Sequence, residues 1–203
     1  DTLLCMWIMK LLADRSNQEI IFSPKPFVDK AGNGLHHHIL LRDVHTGENI
    51  FANKDLDSNN NNADKLSEIC RQGIAGLLKY ADDITAVFVA TQESFDRLKP
   101  GFEAPIFKCW DFSNRTALVR VPEAGSLEAT RFEYRGGDLS GSVHLLGAVL
   151  LAAVLAGIEE GLTLVPNTDT NIEKLSDEER KERGIGAVPL TIFDCITVLK
   201  TSH

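Results

Sequence analysis

The chain lacks the marks of a redox-active, nucleic-acid-binding or exported protein. Its four cysteines, Cys5, Cys70, Cys109 and Cys195, form no CxxC pair, so free, mostly buried thiols in a reducing, cytoplasmic compartment are expected. Basic charge is in deficit: 21 Lys and Arg stand against 29 Asp and Glu, a formal net charge of −8. That balance excludes a general nucleic-acid binder, although a local arginine cluster still suffices for a small anion. No GxxxxGK[ST] loop occurs, and no GxGxxG follows a strand. A bound nucleotide would therefore be cradled by side chains rather than by a glycine-rich helix N-terminus. There is no convincing Ser-His-Asp arrangement and no internal repeat. The apolar residues 3–12 have neither a basic leader nor a small-residue cleavage site, so a signal peptide is not expected.

What is present is ordinary for a globular chain: 203 residues, 43% hydrophobic and 25% charged, enough for one substantial core or for most of a larger domain. Residues 139–158 carry no formal charge and are long enough to span a membrane. The run is rich in Ala and Gly, contains Ser140, Ser142 and His144, and is closed by Asp138, Glu159 and Glu160. A helix buried on all sides is the expectation, with no membrane partner. The chain starts at Asp1 with a helix that is already strongly apolar, which reads as a piece of a longer protein.

The patterning predicts helices at 2–15, from Asp64 as a cap through Ala81, along Ile84–Phe95, from Ser142, from Ser176 to before Gly184, and over Thr191–Leu199. Ser176 with Glu179 forms a capping box. Strands are expected at Glu19–Ser23, Leu35–Leu41, Phe107–Trp110, Thr116–Val121 and Thr130–Tyr134, with a short piece at Asn49–Ala52 and an exposed loop around Asn59–Asn62. Without regular βαβ alternation, the class is α+β with a curved antiparallel sheet and flanking helices.

In an extended Arg131–Arg135, alternation puts Arg131, Glu133 and Arg135 on one face. Such a face is either solvated surface or a site where a carboxylate meets metal and guanidinium groups hold anions. His36 and His38 would share one side of their strand and His37 the other, a spacing open to metal ligation or to chance. Five arginines, Arg97, Arg115, Arg120, Arg131 and Arg135, together with His36, Glu103 and Glu133 suggest a site for a polyanion such as ATP.

These residues lie in ordered motifs: Phe22-Ser23-Pro24-Lys25-Pro26, Gly32-Asn33-Gly34-Leu35-His36-His37-His38, Arg97 to Pro105, Asn114 to Pro122, and Arg131 to Arg135. In this order they resemble the glutamine synthetase family, over about residues 3–160 and more weakly through the tail. The resemblance implies that residues 1–203 are the C-terminal portion of a catalytic domain. The N-terminal domain and the first part of the catalytic domain would lie upstream. It implies an ATP-dependent carboxylate–amine ligase that forms glutamine from glutamate and ammonia through a γ-glutamyl phosphate, with Mg2+ or Mn2+ and a homo-oligomeric ring. His36 and Glu133 would be metal ligands, and His38, Arg120 and Arg131 nucleotide contacts. Gly32, Arg97 and Arg135 would hold the amino acid. Glu103 and Arg115 would be catalytic, Glu103 taking a proton from ammonium and Arg115 lying over the transferred phosphate.

The departures from the family pattern leave the phosphate and metal side intact and disturb the amino-acid side. Ala31-Gly32 stands where the family has Asn-Gly, and Gly136-Gly137 where Phe-Pro is usual, while Leu40 replaces a serine that would make an adenine-side contact. Glu173 occupies the position of the tyrosine that some bacterial members adenylylate. A γ-glutamyl-amine (polyamine) ligase is therefore the nearest alternative substrate class. A non-catalytic structural or regulatory member and a stand-alone nucleotide-binding module are the readings of other kinds.

Overall fold

The computed structural model describes residues 1–54, 65–89, 91–102 and 104–202. The expected loop at Asn59–Asn62, the cap at Asp64 and the catalytic candidate Glu103 lie outside the described residues. In chain order the elements are α1 (Thr2–Arg15), β1 (His37–Ile39), α2 (Glu68–Lys79), α3 (Ala81–Phe88), α4 (Gln92–Arg97), β2 (Trp110–Phe112), β3 (Val119–Val121), β4 (Phe132–Tyr134), α5 (Val143–Glu159), α6 (Asp177–Glu182) and α7 (Ile192–Thr201).

Local chemistry explains the boundaries. Ser67 caps α2 by accepting from the Cys70 amide, and its hydroxyl donates to the Ile50 carbonyl at 2.7 Å, so one side chain both starts the helix and fastens it to the preceding segment. The single helical run expected over Ile84–Phe95 is two helices. Thr91 adopts the extended backbone of an N-cap and accepts from the Ser94 amide at 3.2 Å, which ends α3 and begins α4. The capping box at Ser176 and Glu179 forms.

The sheet order is β1-β4-β3-β2. The α+β class holds, but the sheet is mixed: β1–β4 and β3–β4 are antiparallel and β2–β3 is parallel. The parallel pair arises because residues 113–118 double back. Ser113 takes a positive φ of 57°, and the Asn114 side chain accepts from both the Thr116 amide (2.9 Å) and its hydroxyl (2.8 Å), so the chain re-enters β3 in the direction of β2. The strand expected at Glu19–Ser23 does not form. That segment is irregular, and the Ser23 carbonyl accepts from Asn33 Nδ2 at 2.7 Å rather than from a neighbouring strand. Phe107 makes only an isolated bridge, to Ala187, and β2 starts at Trp110.

β4 sends Phe132 and Tyr134 into the core. Phe132 stacks on Phe51 at 5.0 Å between centroids, and Tyr134 meets Phe88 at 5.3 Å. Helices α2 and α5 cover this apolar face. They touch at Gly76 and Gly157: a Cβ on Gly76 would come within 2.1 Å of the Ala153 carbonyl oxygen. The expectation that α5 is buried on all sides is corrected. Leu146, Leu150, Ala153, Val154 and Gly157 are buried, whereas Leu145, Leu151 and Leu155 are exposed, because α2 covers one stripe. No described helix is long and apolar enough to cross a membrane. Helix α1 buries none of its residues.

Candidate functional site

The sheet's strand register builds the site. Glu133 sits at the centre of β4, directly opposite His38 of β1 and Arg120 of β3. Residues opposite one another on adjacent strands project to the same face, so three charged or titratable groups converge without help from loops. Glu133 is only 1% exposed. Its Oε2 lies 3.0 Å from His38 Nε2, and its Oε1 lies 2.9 Å from both Arg120 Nε and Arg135 Nη1. The Arg135 contact is a hydrogen bond. The Arg120 Nε–H is not aimed at the carboxylate and stays unpartnered, so that contact is ionic and leaves a buried donor free.

Around this carboxylate the histidines divide as alternation requires. His38 Nδ1 accepts from Arg131 Nε at 3.2 Å, which leaves its Nε2–H for Glu133. His36 Nδ1 is 3.3 Å from Arg135 Nη1. His37 turns the other way and meets Phe88 edge-on at 5.6 Å. Loss of hydration, and next the Arg135 charge, holds the His36 pKa down at about 4, so His36 is a neutral imidazole near neutral pH, the form that binds metals. Loss of hydration likewise lowers the His38 pKa, against an opposing pull from Glu133. For Glu133, burial pushes the pKa up. The Arg135 hydrogen bond and the Arg120 and Arg135 charges outweigh it, and the net shift is downward.

Arg135 is 5% exposed and also donates from Nη2 to the Arg115 carbonyl at 3.0 Å. Arg115 itself is exposed, carried on the turn that Asn114 ties to Thr168 and Thr170. Arg97 closes α4 and is buried. It donates to the Gly136 carbonyl at 3.1 Å and the Arg135 carbonyl at 3.3 Å. Gly32 lies against its stem: a Cβ there would sit 2.8 Å from Arg97 Cγ and 2.4 Å from the Pro24 oxygen, so no other residue fits. The Gly136-Gly137 pair has a packing cause. A Cβ at Gly136 would meet the Tyr134 ring at 2.9 Å, and one at Gly137 would meet Phe88 at 2.7 Å.

Of the ten candidate site residues, eight lie on the sheet strands or the loops beside them, Arg97 reaches the same edge from the end of α4, and the tenth is Glu103. Among the described residues no three His, Cys, Asp or Glu side chains converge as a complete metal site. Glu133 with the neutral His36 is of the right donor chemistry for one edge of a divalent-ion site. Mg2+ needs near-octahedral coordination dominated by oxygen, which these two side chains do not complete. Sequence reasoning gave no role to Lys25 and saw no contact for Glu173. Lys25 Nζ lies 3.7 Å over the Phe102 ring, and Glu173 accepts from the Gly101 amide 72 residues away. Neither contact leaves a periodic trace in the sequence.

The glutamine synthetase catalytic-domain family matches residues 1–203. A glutamine synthetase of Halobacterium salinarum is 36% identical over 96% of this chain and 41% of its own length. One of Methanocaldococcus jannaschii is 38% identical over 95% of this chain and 40% of its own length. The ligand-free apo structure of GmaS superposes with a TM-score of 0.77 at 27% identity, covering 98% of this chain and 42% of that one. The chain therefore spans about two fifths of the length of the relatives it matches.

Proposed function

The chain belongs to the glutamine synthetase family of ligases, and we propose that it serves a whole protein that joins an amine to the side-chain carboxylate of glutamate at the expense of ATP. One observation carries the reading: a single buried carboxylate, Glu133, is held between Arg120, Arg135 and His38, with His36 and Arg131 beside it. Cations gathered around one carboxylate suit a reaction in which charge builds on a transferring phosphoryl group.

In this reading a carboxylate oxygen of the substrate attacks the terminal phosphorus of ATP, and ADP leaves. The amine then attacks the acyl carbon, the carbon–oxygen bond to phosphate breaks, and phosphate departs. His36 and Glu133 are assigned to a divalent metal, which when bound neutralises phosphate charge. Arg120, Arg131 and His38 face the nucleotide, Arg115 the transferred phosphate, and Gly32, Arg97 and Arg135 the amino-acid side. Glu103 takes the proton released by the attacking amine. Catalysis is placed in the cytoplasm, in keeping with four free thiols, and in a homo-oligomeric ring. The 203 residues are read as the C-terminal portion of the catalytic domain, with the remaining metal ligands upstream.

The test is a phosphate-release assay on the full-length protein with ATP, Mg2+ and glutamate, offered ammonia, methylamine or a polyamine in turn. Release that requires both glutamate and an amine is expected, while residues 1–203 alone give none. Preference for a larger amine makes the protein a γ-glutamyl-amine ligase. Absence of release with every amine overturns the ligase reading in favour of a structural or regulatory member.

A further inference from the structure

Arg97 is 3% exposed, and its guanidinium donates to two backbone carbonyls, those of Gly136 and Arg135. Carbonyl dipoles do not cancel a buried charge, which needs a counter-charge. Burial pulls the Arg97 pKa below the usual arginine value, and the charge of Asp138 opposes that shift. Asp138 is itself 1% exposed. The guanidinium also reaches the site. From where a Cβ on Gly34 would stand, Arg97 Nη2 is 2.9 Å away and His36 Nε2 3.3 Å, so guanidinium and imidazole flank one glycine.

Arg97 is placed by the short helix it closes, and hydroxyl groups fasten that helix to Asp138. Asp138 Oδ1 accepts from the Ser140 amide at 2.8 Å and from the Ser140 hydroxyl at 2.6 Å. Ser140 Oγ lies 2.8 Å from Ser94 Oγ, and Ser94 Oγ lies 3.1 Å from Thr91 Oγ1. A carboxylate only accepts, and each hydroxyl has one proton to give. With Ser140 donating to Asp138, Ser94 must donate to Ser140, and Thr91 to Ser94. One carboxylate therefore orients three hydroxyls in series. The series ends on the N-cap of α4, where Thr91 Oγ1 accepts from the Ser94 amide. Helix α4 is thus fastened to residues 135–140 at both ends, through Ser94 and Ser140 at its first turn and through Arg97 at its last. The Leu35 amide donates to the Gly137 carbonyl at 2.9 Å, so the same segment also holds the chain that leads into His36.

We propose that Asp138 is a positioning residue for Arg97: through Ser140 and Ser94 it fixes α4 against residues 135–140 and sets the guanidinium beside His36 for an anionic substrate. The use of that guanidinium for an amino acid's carboxylate rests on the ligase reading, whereas the tether of α4 does not. Arg120 and Arg131, assigned to the nucleotide, are held by Glu133 and by His38 and Ala129 instead. Loosening α4 therefore acts on one substrate and spares the other.

The test compares the full-length protein with Asp138→Ala, Ser140→Ala and Ser140→Thr by two readouts. The first is hydrogen–deuterium exchange in peptides covering residues 92–98. The second is the pair of KM values for glutamate and for ATP. Ser140→Ala breaks the series but leaves the buried carboxylate in place, so it decides the matter even where Asp138→Ala does not fold. It is expected to speed exchange in α4 about tenfold and to raise the KM for glutamate about tenfold, as loss of hydrogen bonds within a charged network implies. The KM for ATP should stay within about twofold, since uniform binding of the nucleotide is untouched. Ser140→Thr keeps the hydroxyl and restores both readouts. Unchanged exchange in Ser140→Ala overturns the tether. Faster exchange with both KM values unmoved, or both raised alike, overturns its tie to Arg97. A protein that makes no amide at all defeats the ligase reading, and the exchange data still decide the tether.

Discussion

Glu133→Ala is expected to abolish phosphate release by the full-length protein and to lower folding stability by about 3–5 kcal/mol, the cost of removing one partner from a buried ion pair. The two effects share a cause. Glu133 is 1% exposed and Arg135 5% exposed, and Arg135 Nη1 has its charged partner in Glu133 Oε1. Alanine leaves that guanidinium buried beside Arg120 with no carboxylate, so two like charges face each other across the strand register. The substitution is therefore not neutral for the fold, and activity lost in it has two explanations. Glu133→Gln separates them. The amide keeps an oxygen that accepts from Arg135 and has nearly the same volume, but it carries no charge for a metal. Urea denaturation of both variants should show the larger loss in alanine, while phosphate release falls to background in both. A glutamine variant with undiminished release removes Glu133 from the metal site.

Gly76→Ala is expected to destabilise by about 3 kcal/mol, through overpacking rather than loss of a contact. The added methyl would lie 2.1 Å from the Ala153 carbonyl oxygen and 2.9 Å from the Gly157 Cα. Both are backbone atoms of α5, so the helices themselves must separate. Helix propensity alone gives the opposite sign, since alanine is favoured over glycine in a helix interior by about 1 kcal/mol. Gly147 isolates that contribution: it lies in α5 with nothing within 4 Å of an added Cβ, and Gly147→Ala should stabilise by about 0.5–1 kcal/mol. Thermal or urea unfolding of the two variants reads the opposite signs directly. Two shifts of the same sign contradict the close approach of α2 and α5.

The α+β class was legible in the sequence, and the grouping of the candidate side chains only in part. Alternation within each segment is enough to separate His36 and His38 from His37, and to put Arg131, Glu133 and Arg135 on one face, since side-chain direction in a strand depends only on parity. The pairing of Glu133 with Arg120 was not legible, because it depends on strand register, and register is set by the fold as a whole. The parallel β2–β3 pair escaped for a similar reason. It follows from a positive φ at Ser113 and two hydrogen bonds to Asn114, and no hydropathy pattern encodes either. The strand expected at Glu19–Ser23 has suitable residues but no partner, and a strand is stable only when paired. The uncharged run after Asp138 marks α5 correctly as a helix. Composition does not say which side a neighbour covers, so one buried stripe beside exposed leucines was not foreseen.

The ligase reading stands most directly on the fate of one oxygen atom. Glutamate labelled with 18O in its side-chain carboxylate is given to the full-length protein with ATP, Mg2+ and the preferred amine, and the released phosphate is analysed by mass. The account predicts one labelled oxygen in each phosphate for each amide formed, because the carboxylate oxygen that attacks phosphorus departs with it. Amide formed with unlabelled phosphate would contradict the acyl-phosphate route and the roles assigned to the arginines around Glu133.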